Sequence, residues 1–389
     1  MSDTVKSIEI FTLTLKKDTP YLGAIGEGED LNDKGYFVRK ANKTVYPSFD
    51  RSILLKIETA SGIVGWGETY GLVAPGVVYE LITDLLANFI IGRDPSDPSA
   101  IYDNLYDLMR VRGYTGGFYV DTLAAIDIAL WDIAGRQIGK SVSELLGGAK
   151  RREFMAYISG LPEPTIEARG ELALSWQQKG FNSFKFAAPV ANCGLVEEIA
   201  YLRSVLGPTA KISADMHWNH TADNAIRVIQ EMAKYDIWFA EAPVRTEDIS
   251  GLEKVSKNVS VPIAVGEEWR THFDMLHRVE RCKIAIVQPE MGHKGITNFV
   301  RIGELAAELN IDFIPHATIG AGIFLAASLQ VSACMEALIG HEFQHSVFEP
   351  NRWILTGNME CNAGFYTPPS GPGLGVEPSP EALQILQRL

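Results

Sequence analysis

The sequence predicts an α/β protein: an α+β domain over residues 1–130, a parallel (β/α)8-type barrel over residues 131–352, and a tail over residues 353–389. Three observations carry this. From about Glu153, short apolar strands alternate with helical stretches. Seven polar residues stand at the expected strand ends, separated by 30, 26, 26, 23, 26 and 33 residues, which is one strand–helix unit each time. The first third has another texture, with alternating strands, a long polar connection and then helices.

The elements follow in order. Val5–Leu15 and Ser52–Thr59 alternate like strands, and Gly65–Glu68 makes a third after the turn at Ser61-Gly62. Between the first two lies Lys16–Phe49, polar and glycine-containing. So long a connection without periodicity is usually a lid or a binding loop. Helices are expected at Val77–Phe89, Ser99–Arg110 and Val120–Gln137, and Ser141–Gly148 reads as a capped helix stopped by two glycines. The expected barrel strands are Phe154–Ile158, Ser183–Phe186, Ile212–Asp215, Trp238–Glu241, Ile263–Val265, Ala285–Gln288, Phe313–Pro315 and Val347–Phe348. Helices such as Ile166–Lys179, Ala222–Lys234 and Ile296–Leu309 fit between them. The tail from Trp353, rich in Pro and Gly, cannot form another unit and is expected to return to the N-terminal domain.

Composition excludes several classes. With 35 basic and 48 acidic residues the net charge is −13, which disfavours nucleic-acid partners. Cys193, Cys282, Cys334 and Cys361 are far apart, against a zinc ribbon, a redox pair or a disulfide scaffold. No apolar run is long enough to span a membrane, and the N-terminus lacks a signal peptide, so the expected location is the cytoplasm.

The strand-end residues are Lys185, Asp215, Glu241, Glu267, Glu290, His316 and Glu349. Asp215, Glu241 and Glu267 end three consecutive strands. Carboxylates converging on one point repel unless a cation sits among them, and an all-oxygen set suits a hard ion such as Mg²⁺. Salt bridges at the barrel rim are the other use for such groups. Lys185 offers one cation to the mouth; two residues on, in the same phase, stands Ala187. The same alternation puts His217 beside Asp215, as a ligand or as a proton donor. Glu290 beside His316 would fix the imidazole tautomer and leave its other nitrogen free to take a proton. Glu349 would reach a substrate carboxylate. Together these groups suit removal of a proton next to a carboxylate, with Lys185 and the metal stabilising the enediolate.

The motifs TLAAIDIALWDIAGRQIGKSVSELLGG, SADMH, FAEAP, VGEE, VQPEMGHKGIT and PHATIGAGIFLAASL span most of the chain. On them the chain resembles the enolase superfamily, within the mandelate racemase subgroup. The resemblance implies a (β/α)7β modified TIM barrel with an N-terminal capping domain completed by the chain's C-terminal segment. It implies Mg²⁺, with Mn²⁺ as a substitute, held by Asp215, Glu241 and Glu267, and a homo-oligomer, often an octamer. It implies a His316–Glu290 dyad, with Glu where most relatives have Asp and one glycine fewer after it. Lys185 matches the first lysine of a KxK motif whose second lysine is replaced by Ala187. The DxH spelling at Asp215–His217 is similar to that of sugar-acid dehydratases such as galactonate dehydratase. There His316 would take the α-proton and His217 would protonate the departing β-hydroxyl. The expected partner is a small sugar acid, aldonate or aldarate. The lid of the capping domain would contact its far end, making Tyr21, Arg39, Lys40 and Tyr70 candidate substrate contacts. A racemase, an epimerase and a lactone cycloisomerase are the alternatives on this scaffold.

Overall fold

The computed structural model describes residues 3–317 and 320–389; Thr318 and Ile319, within the strand-seven motif, lie outside them. The N-terminal strands are β1 (Val5–Lys16), β2 (Tyr36–Val38), β3 (Val45–Pro47), β4 (Phe49–Thr59) and β5 (Val64–Tyr70). β1, β4 and β5 form an antiparallel sheet, and β2 and β3 form a separate hairpin within the long connection. Helices α1 (Gly76–Glu80), α2 (Pro98–Arg110) and α3 (Gly117–Ile138) follow. The expected single helix at 77–89 is broken: after α1 the chain continues as a π turn and then a 3-10 turn.

Helix α3 is buried on nearly every side, because it lies between the N-terminal sheet and the barrel. Its close seat on β5 depends on glycine: a Cβ at Gly67 would stand 1.9 Å from the Ala125 carbonyl oxygen. Two buried carboxylates of α3 key the pieces together. Asp132 accepts from the backbone N–H of Trp66 and of Leu374, and Asp127 accepts from the N–H and hydroxyl of Thr297. Every lone pair used here would otherwise be a buried unpaired acceptor, so each bond fixes an element as well as a residue.

After the capped turn α4 (Val142–Leu145) come the parallel strands β6 (Phe154–Gly160), β7 (Ser183–Ala187), β8 (Lys211–Asp215), β9 (Ala240–Glu241), β10 (Ile263–Val265), β11 (Ile286–Val287), β12 (Asp312–Phe313) and β13 (His341–Phe343). Each of β6–β11 pairs with the next, and β13 returns to pair with β6. Between β12 and β13 the contact is a single bridge, Phe313 to Leu338, plus the Glu342 N–H donating to the Pro315 carbonyl. The barrel interior is filled by Tyr157, Phe239, Ala264, Ile286 and Ile314, so it is a packed core and not a channel. Helices α5 (Ile166–Gln178), α6 (Leu195–Leu206), α7 (Ala222–Met232), α8 (Ile249–Asn258), α9 (His272–Val279), α10 (Met291–Glu308) and α11 (Ile323–Ser332) connect the strands. Helix α10 is interrupted at Gly295, φ +70°, where a Cβ would meet Asp127 at 2.6 Å; this break lets Thr297 reach Asp127.

The expected eighth strand is corrected. Val347 and Phe348 belong to a helix, α12 (His345–Asn351), and the strand lies earlier, with His341, Glu342 and Phe343 opposite Ala156, Tyr157 and Ile158. The polar spelling His-Glu-Phe hides it, because Glu342 faces the charged mouth and His341 is buried against Ser328, Phe154 and Tyr366, so neither meets solvent. The tail pairs in three places. β14 (Leu355–Thr356) meets β17 (Glu377–Pro378), β15 (Glu360–Asn362) and β16 (Phe365–Thr367) form a hairpin on β6, and β18 (Gln387–Arg388), after α13 (Pro380–Ile385), adds an edge strand to β1.

Candidate active site

The C-terminal ends of the barrel strands open into a cavity of about 410 Å³, roofed by the capping domain. Its floor holds Lys185, Asp215, Glu267, His316 and Glu342, and Glu241 and Glu290 stand directly behind them. Strand register explains the gathering. Ala187 lies opposite Asp215, Asp215 opposite Glu241, and Glu290 is bridged to His316.

Lys185 Nζ lies 2.7 Å from Glu241 Oε1 and 3.1 Å from Glu342 Oε1. It is buried, and burial alone would lower its pKa; the carboxylates outweigh that and hold the ammonium well above its usual value. His316 Nδ1 lies 2.8 Å from Glu290 Oε2. Its Nε2 faces Glu267 at 3.2 Å and Glu342 at 3.5 Å. Burial acts against the imidazolium, but Glu267, Glu342 and Glu290 push the His316 pKa up to about 10. Gly292 N–H also donates to Glu290, which holds the carboxylate toward the imidazole. The extra methylene of Glu290 therefore still reaches His316.

His217 lines the cavity, but not through strand alternation. β8 ends at Asp215, and His217 (φ +50°) and Trp218 (φ +54°) both adopt left-handed backbone that turns the imidazole back onto Asp215, Nε2 to Oδ2 at 3.0 Å. Two backbone bonds hold this strained turn: His217 N–H to Asp215 and Trp218 N–H to the Ala242 carbonyl. The lid touches it from above. Asn42 lies 3.4 Å from His217 Nδ1, and Asn219 donates to the Ala41 carbonyl at 2.6 Å.

Asp215, Glu241 and Glu267 can hold a metal by their chemistry: three carboxylates, buried, on consecutive strands. Burial and mutual repulsion push the Glu241 and Glu267 carboxyls up, as expected of anions crowded without enough positive charge. Glu241 is held from two sides, by Lys185 and by Gln288 Nε2 at 2.6 Å. Among the described residues no group of three His, Cys, Asp or Glu side chains is drawn into metal-holding geometry; each of the three carboxylates instead faces a cationic or amide partner. The donor set fits a hard cation such as Mg²⁺.

Of the five expected substrate contacts, two line the cavity and three do not. Tyr21 and Tyr70 line the cavity; the Tyr21 hydroxyl accepts from Gln344, and the Tyr70 ring stacks on His293 at 4.1 Å. Arg39 does not face the cavity. It is buried in the lid, paired with Glu29 at 3.0 Å and donating to the carbonyls of Tyr21, Gly23 and Ala24. Lys40 points away, with Nζ on the Glu27 carbonyl. Glu349 is exposed on α12, and Glu342 takes its place at the mouth. A signal for Glu342 was present: it stands 26 residues after His316, in step with the other units, whereas Glu349 stands 33 after it. Asp121, Arg270, Tyr46 and Trp218 also line the cavity and carried no sequence signal, since each belongs to an element placed there only by folding.

The chain matches the family described as Enolase C-terminal domain-like over residues 168–382 and that described as Mandelate racemase / muconate lactonizing enzyme, N-terminal domain, over residues 40–147. It is 30% identical to a D-galactarolactone cycloisomerase of Agrobacterium fabrum, covering 86% of this chain and 91% of the relative. It is 30% identical to a D-galactonate dehydratase of Ralstonia pickettii, covering 86% and 90%. Among solved structures, a member of the enolase superfamily from Agrobacterium tumefaciens superposes with a TM-score of 0.98 at 67% identity, covering all of both chains.

Proposed function

The chain belongs to the enolase superfamily, in the mandelate racemase subgroup, and on that premise we propose that it is a Mg²⁺-dependent sugar-acid dehydratase. The observation that carries this reading is the unequal furnishing of the cavity. One wall holds an imidazole backed by a carboxylate, His316 on Glu290; where a second lysine base would project from β7, the wall is Ala187. One base serves a proton removal that is not simply reversed from the other face. His217 supplies an acid in the same cavity.

Glu267 does most to hold His316 protonated; with Glu267 turned instead to a bound cation and Nδ1–H still donating to Glu290, His316 Nε2 would be free to take the α-proton. The electron pair of the broken C–H bond moves to the substrate carboxylate, where the Lys185 ammonium faces the growing negative charge. The β-hydroxyl then leaves as water, its C–O bond breaking as His217 gives up a proton and the α,β double bond forms. The enol tautomerises to a 2-keto-3-deoxy acid. Glu342 bridges Lys185 and His316, so it orients both groups. Asp215, Glu241 and Glu267 would hold Mg²⁺, which when bound supplies positive charge to balance these carboxylates and the ionised substrate.

The test is a screen of aldonates and aldarates with and without Mg²⁺, trapping the keto product with semicarbazide. The His316→Asn and His217→Asn variants accompany the wild type. Dehydration at the wild-type rate by both variants would sink the mechanism. A second reading, lactone cycloisomerase, is favoured by the likeness to the galactarolactone enzyme. It predicts solvent deuterium entering at the α-carbon with no loss of water.

A further inference from the structure

The cavity has two ends. The barrel floor carries the acid–base groups. The opposite wall is built by the capping domain, from Tyr70, Leu72, Val73, Phe118 and Asp121. Any second charge on a substrate would have to be met there. Arg39 and Lys40, the lid cations, do not reach it. Among the described residues lining the cavity, the cations at the floor are Lys185 and the His316 imidazolium, and the cation near the capping domain is Arg270.

Arg270 is already matched. Its Nε lies 2.6 Å from Asp121 Oδ1, and a terminal nitrogen donates to the Glu268 carbonyl at 2.6 Å. Asp121 also binds His293 Nδ1 at 2.9 Å. Burial opposes a charged Asp121, but His293 and Arg270 hold its carboxyl below the usual range. Burial, with Arg270 beside it, drives the His293 pKa down to about 4, so the imidazole is neutral at pH 7. The wall therefore contains one positive and one negative charge in contact, with a neutral ring, and its remaining surface is Leu72, Val73, Phe118 and the Tyr70 phenol, none of them charged.

We infer that the substrate is a monoacid: one carboxylate at the barrel floor and an uncharged end, a hydroxymethyl group or a lactone or ether ring, against the capping-domain wall. This rests on the reading of the cavity as a sugar-acid site and narrows it. A second carboxylate would shed its water against Leu72, Val73 and Phe118 and lie beside Asp121 with no unmatched cation to receive it. An uncharged carbon chain or ring, by contrast, packs on Leu72, Val73 and the Phe118 face at little cost.

The experiment compares matched pairs that differ only at the far carbon: D-galactonate with galactarate, and D-gluconate with D-glucarate. Binding to the full chain with Mg²⁺ is followed by calorimetry, and keto product is assayed in parallel. The expected result is that a monoacid binds about 100-fold more tightly than its diacid partner, as an unpaired buried charge requires. Asp121→Asn, which strips Arg270 of its counter-charge, should shrink that ratio at least about tenfold, as should Phe118→Arg, which adds a cation on a surface-facing position and does not depend on Asp121 folding. A diacid that binds as well as its monoacid overturns the inference, as does a ratio unmoved in both variants, or no binding by either pair. Product from diacids alone would overturn the inference and leave the dehydratase reading intact. Monoacid binding without product or deuterium exchange would do the reverse.

Discussion

The lid and the barrel mouth both bury charge, and they treat it in opposite ways. In the lid, Glu29 and Arg39 are both buried and paired with each other. Glu29 accepts from the backbone N–H groups of Gly26 and Lys40 as well as from Arg39, and although burial opposes it, these bonds hold its carboxyl below the usual value. At the barrel mouth, Asp215, Glu241, Glu267, Glu290 and Glu342 crowd around one lysine and two histidines. There burial, with Glu241 and Asp215 beside it, pushes the Glu267 carboxyl well above its usual value against the opposing pull of His316. Buried charge that closes on itself fixes a shape; buried charge left in excess is poised for a ligand or a reaction.

The largest effect should come from the mouth. His316→Asn removes the proton acceptor of the proposed mechanism while keeping a group that can bond Glu290. Proton exchange at the substrate α-carbon should fall about 1,000-fold, with near-UV circular dichroism unchanged. Equal exchange rates would mean that the excess charge serves structure after all.

The lid should respond in the other currency. Arg39→Met leaves Glu29 buried without its partner and three carbonyls without a donor. The penalty is local and about 3–5 kcal/mol, enough to open the lid and not the barrel. Limited proteolysis should cut within residues 16–49, and KM should rise about tenfold with a smaller change in kcat. A kcat loss matching that of His316→Asn would erase the distinction between the regions.

Acid should strike between them. Burial holds His345 and His341 near pKa 4, each as a neutral ring, against about 6.5 when unfolded. The unfolded chain then binds more protons between these values. Stability is complete above pH 6.5 and falls as pH drops toward 4, by about 3 kcal/mol for each ring if nothing compensates. Thermal melts across that window should show the slope, and His345→Phe should flatten it. Last, Lys40→Ala and Glu349→Gln remove groups that touch solvent or a lid carbonyl only. Activity within about twofold of wild type is expected for both.

Much of the site was legible because a barrel repeats. Each strand–helix unit returns the chain to the same rim, so polar residues in one phase of the repeat meet in space whatever lies between them. Lys185, Asp215, Glu241, Glu267, Glu290 and His316 were found at strand ends by that rule, and the family resemblance supplied their roles. The rule slipped at strand eight, where apolar Val347-Phe348 outweighed a spacing that pointed to Glu342. His217 was placed correctly for an incomplete reason: two left-handed residues turn it, and nothing in the spelling Asp-Met-His announces them.

What the sequence determined by itself was the fold class and the chemistry of the floor, since both follow from local periodicity and residue type repeated along the chain. Only the tertiary structure decided which charges are spent on one another. Arg39 folds back on Glu29, ten residues away, and Arg270 meets Asp121, on α3, from a loop 149 positions later. Whether a cation faces a substrate or a neighbouring carboxylate depends on distances of a few ångströms between remote segments, and no pattern along one chain encodes that.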